Sequence, residues 1–412
     1  MAYFGSIKVR ADDSPSVDAF SRWRVSSPQG LFDAQLTYDL QPLLFEQVTS
    51  GSGATVAHDA TNRCALMTFS STPAGGLAYM QSYEWVRYQP GKSQLAFISF
   101  NFIETAANCV KFVGLSAGAT NGFELQQSGS TVQFVLYSDT GNGDQTVTKS
   151  NWNLDTLDGS GSAANPSGLT LNLTKIQILA LDFQALYSGR VRMGFDLNGE
   201  VVWAHEFNFA NSITVPYIQT ATLPVRCGMS CSDTVSTTMR FTCSSVSSEG
   251  GQENEAGYTF SSGTTVISAG NGTATHFISV RPQTTFNSIA NRTKFILESL
   301  DLLVTGNYPV KWELCLGQAI TSTSYTSANA TYSAFEVGTG TISGSPAIVM
   351  SEGYVPASAT VKSSINVKLA NRYPITLNTT GAVRALGTLS LVCTGLGGSS
   401  NTYASLNWRE LR

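Results

Sequence analysis

Charge is scarce in this chain. Asp, Glu, Lys and Arg make up 13% of its 412 residues, about half the usual share. The net charge is −4 and no basic block occurs, which excludes a general nucleic-acid binder. No apolar run reaches the roughly 18 residues of a membrane-spanning helix. The N-terminal MAYFGSIKVRADD has no apolar core of signal-peptide length, so synthesis in the cytoplasm without Sec export is expected. Low charge does not mean disorder here, because 42% hydrophobic and 10% aromatic residues suffice for a core.

Histidine is scarcer still, with only His58, His205 and His276. His205-Glu206 begins like a zinc-protease HExxH, but the fifth residue is Phe209 and the segment alternates as a strand. Two histidines four apart face one way only on a helix, so the motif fails. No G-x-S-x-G elbow, Walker A loop or helix-opening G-x-G-x-x-G is present, and no Ser-His-Asp set can be assigned. No nucleotide or other organic cofactor is expected. Glu200 with Glu206, or Asp182 with Asp196, offer carboxylates on strands, but without the E-x-D-x-x-E spacing of one class of sandwich glycosidases; solvated strand carboxylates are the simpler reading.

Seven cysteines, Cys64, Cys109, Cys227, Cys231, Cys243, Cys315 and Cys393, are odd in number and scattered. This argues against a disulfide framework and suits a reducing compartment. Cys227 and Cys231 lie on one face of a strand about 13 Å apart, too far to share a metal or a bridge. With Cys243 they read as buried free thiols.

What is abundant is alternation. Residues 189–208, GRVRMGFDLNGEVVWAHEFN, place Val191, Met193, Phe195 and Leu197 on one face, then Val201, Trp203, His205 and Phe207 after Asn198-Gly199. Period two marks two strands, and Asn-Gly suits a two-residue type I′ turn. Further runs at 94–103, 110–115, 123–126, 131–137, 169–181 and 240–245 predict a strand-rich domain over 41–248. Residues 249–256, EGGQENEA, predict a linker. Runs at 277–280, 294–304, 310–316, 334–337, 363–369 and 386–393 predict a second domain over 257–412. Its last strand carries Leu406 and Trp408 almost to the terminus. The expected fold is all-β: two antiparallel β-sandwich domains, jelly-roll or concanavalin-like, behind an extended N-terminal segment.

Three regions invite a functional reading. Residues 1–40 are polar and interrupted by Pro15, Pro28 and Gly30, yet carry Phe20, Trp23, Val25, Leu31 and Phe32. Such a segment either packs along its own domain or docks on a neighbouring subunit, with Phe20, Arg22, Trp23, Arg24 and Phe32 as the docking residues. The loops with Asp139, Asn142 and Asp144, and with Asn153, Asp155 and Asp158, carry oxygen donors that suit calcium, although Asn, Asp and Gly also simply suit turns. Trp152 beside them reads either as a stacking platform for a host glycan or as a core-edge anchor.

These residues resemble a family of virion structural proteins of tailed bacteriophages with an N-terminal Asp-Ala-Phe-Gly-Arg-x-Arg-Val-Ser signature followed by Phe-Asp. Here the match is Asp18-Ala-Phe-Ser-Arg-Trp-Arg-Val-Ser26, then Phe32-Asp33. Further islands are Asp182-Phe183 with Gly189-Arg-Val-Arg192 and Gly194-Phe195, His205-Glu-Phe207, Cys243 to Gly251, and Ser405 to Glu410. The resemblance implies a non-enzymatic virion component (capsid decoration, head fibre or tail appendage) that is assembled in the host cytoplasm. Its expected partners are other capsid, neck or tail proteins, and its own copies as a trimer or dimer. A carbohydrate-binding module for host glycans is the alternative, and a polysaccharide-degrading enzyme the third reading.

Overall fold

The computed structural model describes residues 17–18, 28–250, 257–368 and 375–412. The chain divides at residues 253 and 254 into two units, each built on a pair of larger antiparallel sheets, with one further two-stranded sheet in the second. In chain order, the strands of the first are β1 (Gln29–Gln35), β2 (Phe45–Ser50), β3 (Ala54–Asp59), β4 (Cys64–Thr72), β5 (Leu77–Ser82), β6 (Ser93–Asn101), β7 (Cys109–Ser116), β8 (Gly122–Ser128), β9 (Thr131–Tyr137), β10 (Gln145–Thr148), β11 (Gln177–Phe183), β12 (Val191–Leu197), β13 (Glu200–Phe207), β14 (Val225–Cys231) and β15 (Val235–Glu249). One sheet runs β13-β12-β11-β6-β15-β4-β3, with β1 added on β15; the other runs β10-β9-β8-β7-β14-β5-β2. Their inner faces meet in one apolar core, where Phe45 packs edge-on against Phe32 and Phe241, and Phe123 packs on Phe183. The fold is therefore a two-sheet sandwich, as the alternation predicts.

The second unit follows the same plan. Its strands are β16 (Tyr258–Gly263), β17 (Ile267–Ala269), β18 (Thr275–Pro282), β19 (Thr285–Phe286), β20 (Ile289–Ala290), β21 (Lys294–Val304), β22 (Val310–Leu316), β23 (Ile320–Ser327), β24 (Phe335–Ile342), β25 (Ile348–Val355), β26 (Ser363–Lys368), β27 (Leu389–Gly395) and β28 (Ser400–Leu411). One sheet runs β16-β28-β21-β26 with β17 on β28, the other β23-β24-β18-β27-β22-β25. Trp408 on β28 is fully buried against Phe295 and Phe260, which ties down the last strand.

Three expectations change. The first strand begins at Gln29, so residues 29–35 are part of the sandwich: β1 pairs antiparallel with the end of β15, and Phe32 lies in the core. At the other boundary, β15 takes in Glu249, the first residue of the expected linker, and 251–256 lie outside the described residues. The third change concerns the 191–207 hairpin. Its two-residue turn has φ of 62° at Asn198 and 85° at Gly199, as a type I′ turn requires. The register nevertheless shifts between Met193 and Gly194. His205 and Phe207 remain opposite Met193 and Val191, whereas Trp203 lies opposite Gly194 and leaves the core to Ala204. One bulged residue reverses which face a strand buries.

Candidate functional site

The expected site residues divide into those outside the described residues and those the fold uses internally. Phe20, Arg22, Trp23 and Arg24 lie outside the described residues. Phe32, expected at a docking surface, is 5% exposed in the core of its own unit, because it alternates inward on a strand that completes the sheet. Trp152 is 3% exposed, stacked on Phe134 with ring centroids 4.4 Å apart, so it anchors the core edge and presents no face to a sugar.

The loop after Trp152 closes the edge of β13. Asn153 accepts the Glu206 N–H and donates to the Glu206 carbonyl, both at 2.9 Å, imitating a further strand residue. The Ala204 carbonyl accepts N–H groups from both Leu154 and Asp155. Covering an edge in this way blocks unwanted strand pairing. Asp155 is buried and accepts from the Leu157 and Ser167 N–H groups at 2.8 and 2.9 Å and from Asn165 Nδ2 at 2.6 Å. Asp158 accepts the Ser160 N–H at 2.8 Å, and its hydrogen bonds with Ser160 hold its carboxyl below the usual range. In the preceding loop Asp144 accepts the Ser138 N–H, Asn142 donates its N–H to Thr140 Oγ1, and the Asp139 carbonyl accepts from Gln219. These oxygen atoms organise turns, and among the described residues no group of three or more His, Cys, Asp or Glu is arranged to hold a metal.

Two of the three histidines, His205 and His276, are equally internal. Burial pushes His205 and His276 down to about 4. His205 Nδ1 accepts the Asn153 N–H at 3.2 Å. His276 Nδ1 accepts the Gly340 N–H at 3.1 Å, so its proton sits on Nε2 and is donated to Ser279 at 2.7 Å, which faces Ser390 at 2.7 Å. A histidine in this tautomer cannot take the proton of Ser279, so the Ser-His contact is not a nucleophile–base pair.

Two polar clusters remain; the first is built from residues of the resemblance islands, and no sequence motif marks the second. The first covers the outer face of the eight-stranded sheet. Asp182 on β11 and Arg192 on β12 are register partners with fully buried side chains, joined at 2.5 Å. Ser93 donates to the same carboxylate at 2.7 Å, and the guanidinium stacks 4.6 Å above the Trp203 ring. Arg192 also donates to the Val17 carbonyl at 2.8 Å. Val17 and Asp18 are themselves buried. Arg190 pairs with Glu206 at 3.3 Å beside them. At these described positions the N-terminal segment packs along its own unit.

The second cluster lies on the outer face of the seven-stranded sheet. Arg226 on β14 is held between the rings of Tyr79 and Phe112, at 4.5 and 4.6 Å from their centroids. It reaches past Gly114 to Glu124 at 3.5 Å. Gly228 stands between the two aromatic residues in register, where a Cβ would come 2.1 Å from that of Tyr79. Ser116 donates to Glu124; Gln126 donates to Glu124 at 2.8 Å and to the Tyr137 hydroxyl at 2.7 Å, and Gln133 donates to Gln126 at 3.2 Å. Burial, with the charge of Glu124, pushes Tyr137 up to about 12. The result is a neutralised strip of aromatic rings, amides and hydroxyls across five strands.

No family model matches this chain, and no curated protein does. Similar solved structures include a carbohydrate esterase of the Shiga toxin-encoding bacteriophage phi24B, at 12% identity over 54% of this chain and 99% of that one, TM-score 0.32. A glycosyl hydrolase family protein from Mycobacterium fortuitum is similar at 11% identity over 53% and 99%, TM-score 0.37. Bacillus licheniformis beta-glucanase is similar at 11% over 54% and 98%, TM-score 0.30. Likenesses this distant assign no residue a role.

Two outcomes test the architecture of these sites. Arg192→Met removes the guanidinium paired with the buried Asp182 carboxylate and should cost about 3–5 kcal/mol in denaturant unfolding, while Asp182→Leu with Arg192→Met costs clearly less. Unfolded histidine protonates near 6.5, whereas His205 and His276 protonate only near 4. The unfolded chain thus binds more protons between these values, and stability falls as pH drops through that window, by at most on the order of 3 kcal/mol per histidine. His205→Gln should flatten the acid limb of the first unit alone.

Proposed function

We propose that the chain is a non-enzymatic structural component of a tailed-bacteriophage particle, displayed as a capsid decoration, head fibre or tail appendage. One observation carries this reading: the islands of resemblance that fall in the first unit are joined to one another in the fold. The Val17 carbonyl, one residue ahead of the N-terminal signature, accepts a hydrogen bond from Arg192 of the Gly-Arg-Val-Arg segment. Phe32 and Asp33 lie on β1, paired with Val246 and Ser245 of the fourth island. Glu206 of the His-Glu-Phe island binds Arg190. A resemblance carried by residues that support one another supports a shared architecture more strongly than the same number of scattered matches.

In this reading the segment ahead of β1 attaches the protein to a capsid, neck or tail partner, and the Arg192 contact ties that attachment to the sandwich. The particle is the site of action, and symmetric copies, as a trimer or dimer, are the expected form. The test is immunogold labelling and mass spectrometry of gradient-purified particles from cells producing the protein. A fixed copy number per particle is expected, with incorporation lost when Phe20, Arg22, Trp23 and Arg24 are replaced together by alanine while the chain still folds. Absence from purified particles overturns the reading.

A second reading, host-glycan binding, is favoured by the strip around Arg226, where the part-exposed Tyr79, Gln133 and Tyr137 set ring, amide and hydroxyl groups side by side. Such sets suit the alternating apolar and hydroxyl faces of a sugar ring. A glycan array should then give signals that Arg226→Ala abolishes, and a silent array removes this reading.

A further inference from the structure

Seven free cysteines are distributed over the two units, and only two of them face each other across adjacent strands. Cys109 opens β7 and Cys231 closes β14, and they are direct register partners in the middle of the seven-stranded sheet. Their backbone groups bond elsewhere: Cys109 N–H to Ala106 and its carbonyl to Gly129, Cys231 N–H to Gly76 and its carbonyl to Gly75. The bond that brackets the pair runs from Ser232 N–H to the Asn108 carbonyl at 2.8 Å. This makes it a non-hydrogen-bonded pair, the antiparallel geometry with Cα atoms only about 4.5 Å apart and side chains closest. Residues opposite each other in register share a face, and both side chains belong to the core cluster. A Cα separation near 4.5 Å lies at the short end of the range a disulfide spans.

We propose that Cys109 and Cys231 are an oxidation site, free in a reducing compartment and joined by a cross-strand disulfide once the folded protein meets a disulfide oxidant. The reaction follows from burial. Cys231 is the more accessible of the two, at 7% exposed against 1%, and its Sγ now lies 3.2 Å from the Pro73 carbonyl. Its thiolate attacks a low-molecular-weight disulfide, forming a mixed disulfide and releasing one thiolate. Rotation about the Cys231 side chain then turns the sulfur from Pro73 toward β7. The Cys109 thiolate attacks Cys231 Sγ, the protein disulfide forms, and the second small thiolate leaves. Two protein S–H bonds are lost, both protons end on the two small thiols, and the oxidant takes up two electrons. Burial pushes the Cys109 thiol up to about 11, so this second step is the slow one and quickens with rising pH. The product closes the long segment from β8 to β13 into a covalent loop, which restricts the unfolded chain and stabilises the first unit. This inference does not depend on the particle reading, although a protein that leaves a cytoplasm would pass from one redox regime to the other.

The experiment uses the full chain, folded, with oxidised glutathione at pH 8, then alkylation and peptide mapping by mass spectrometry. Expected are two fewer alkylatable thiols than the seven of the reduced protein, a mass lower by two hydrogens, and a linked peptide pair carrying Cys109 and Cys231. The thermal midpoint of the first unit should rise and return on adding dithiothreitol. Cys109→Ala and Cys231→Ala should each abolish the shift, and Cys243→Ala, at a part-exposed thiol, should keep it. Seven thiols persisting after prolonged oxidation, glutathione adducts without the link, or a link between other cysteines overturns the proposal. Should either alanine variant fail to fold, the wild-type peptide map decides alone.

Discussion

Strand β15 bonds to three other strands, and the eight-stranded sheet has no continuity without it. Residues 235–241 pair with β4 and 243–248 with β1 along one edge, while 240–249 pair with β6 along the other. Fifteen residues of strand are long for a globular domain. The length is used fully, because two short strands share one edge in succession. The inward side chains of β15, Met239, Phe241 and Val246, reach the core that the second sheet covers. Burying aromatic faces from both sheets is the main favourable term available to a chain this poor in charge.

Several of the few charges it has are buried. Asp182–Arg192 and Arg226–Glu124 each join neighbouring or next-neighbour strands on an outer sheet face, with aromatic rings covering the guanidinium. Lys111 is buried and donates to three carbonyls, those of Phe102, Glu104 and Thr238, at 2.6 to 2.9 Å. Burial pulls its ammonium down to about 8, while the three carbonyl oxygens favour the charged form. Buried pairs of this kind add little net stability over apolar substitutes, yet losing one member is costly. They specify register: an Asp or Arg displaced by one residue would point into the core.

The strongly alternating strands were legible in advance. Residues 294–304 and 310–316 coincide with β21 and β22, and 131–137 with β9. Strands β23 and β25 have no equivalent among the expected runs; β23, ITSTSYTS, is an edge strand rich in Ser and Thr, and its pattern resembles that of a loop. Leu171 and Leu173 extend the expected strand before β11, yet they enter the core from coil, and the strand starts at Gln177. Trp152 and Asp155 illustrate the same limit at the site. Their residue types suit a sugar platform and a calcium loop, but such properties exist only where the side chain is free, and here stacking and three hydrogen bonds engage them.

What the sequence by itself determined is what local sterics control: period-two alternation, the Asn198-Gly199 turn with both φ positive, the all-β class and the division into two units. Tertiary structure decided which face each side chain took and whom it met. The bulge at Met193 and Gly194 sent Trp203 outward beneath Arg192. A side-chain hydrogen bond brought Val17 to Arg192, and strand pairing brought Cys109 to Cys231, across long stretches of chain. A residue's neighbours within a strand follow from the backbone geometry of that strand, whereas its partner on the next strand is chosen by register, and register is settled only when the whole core packs.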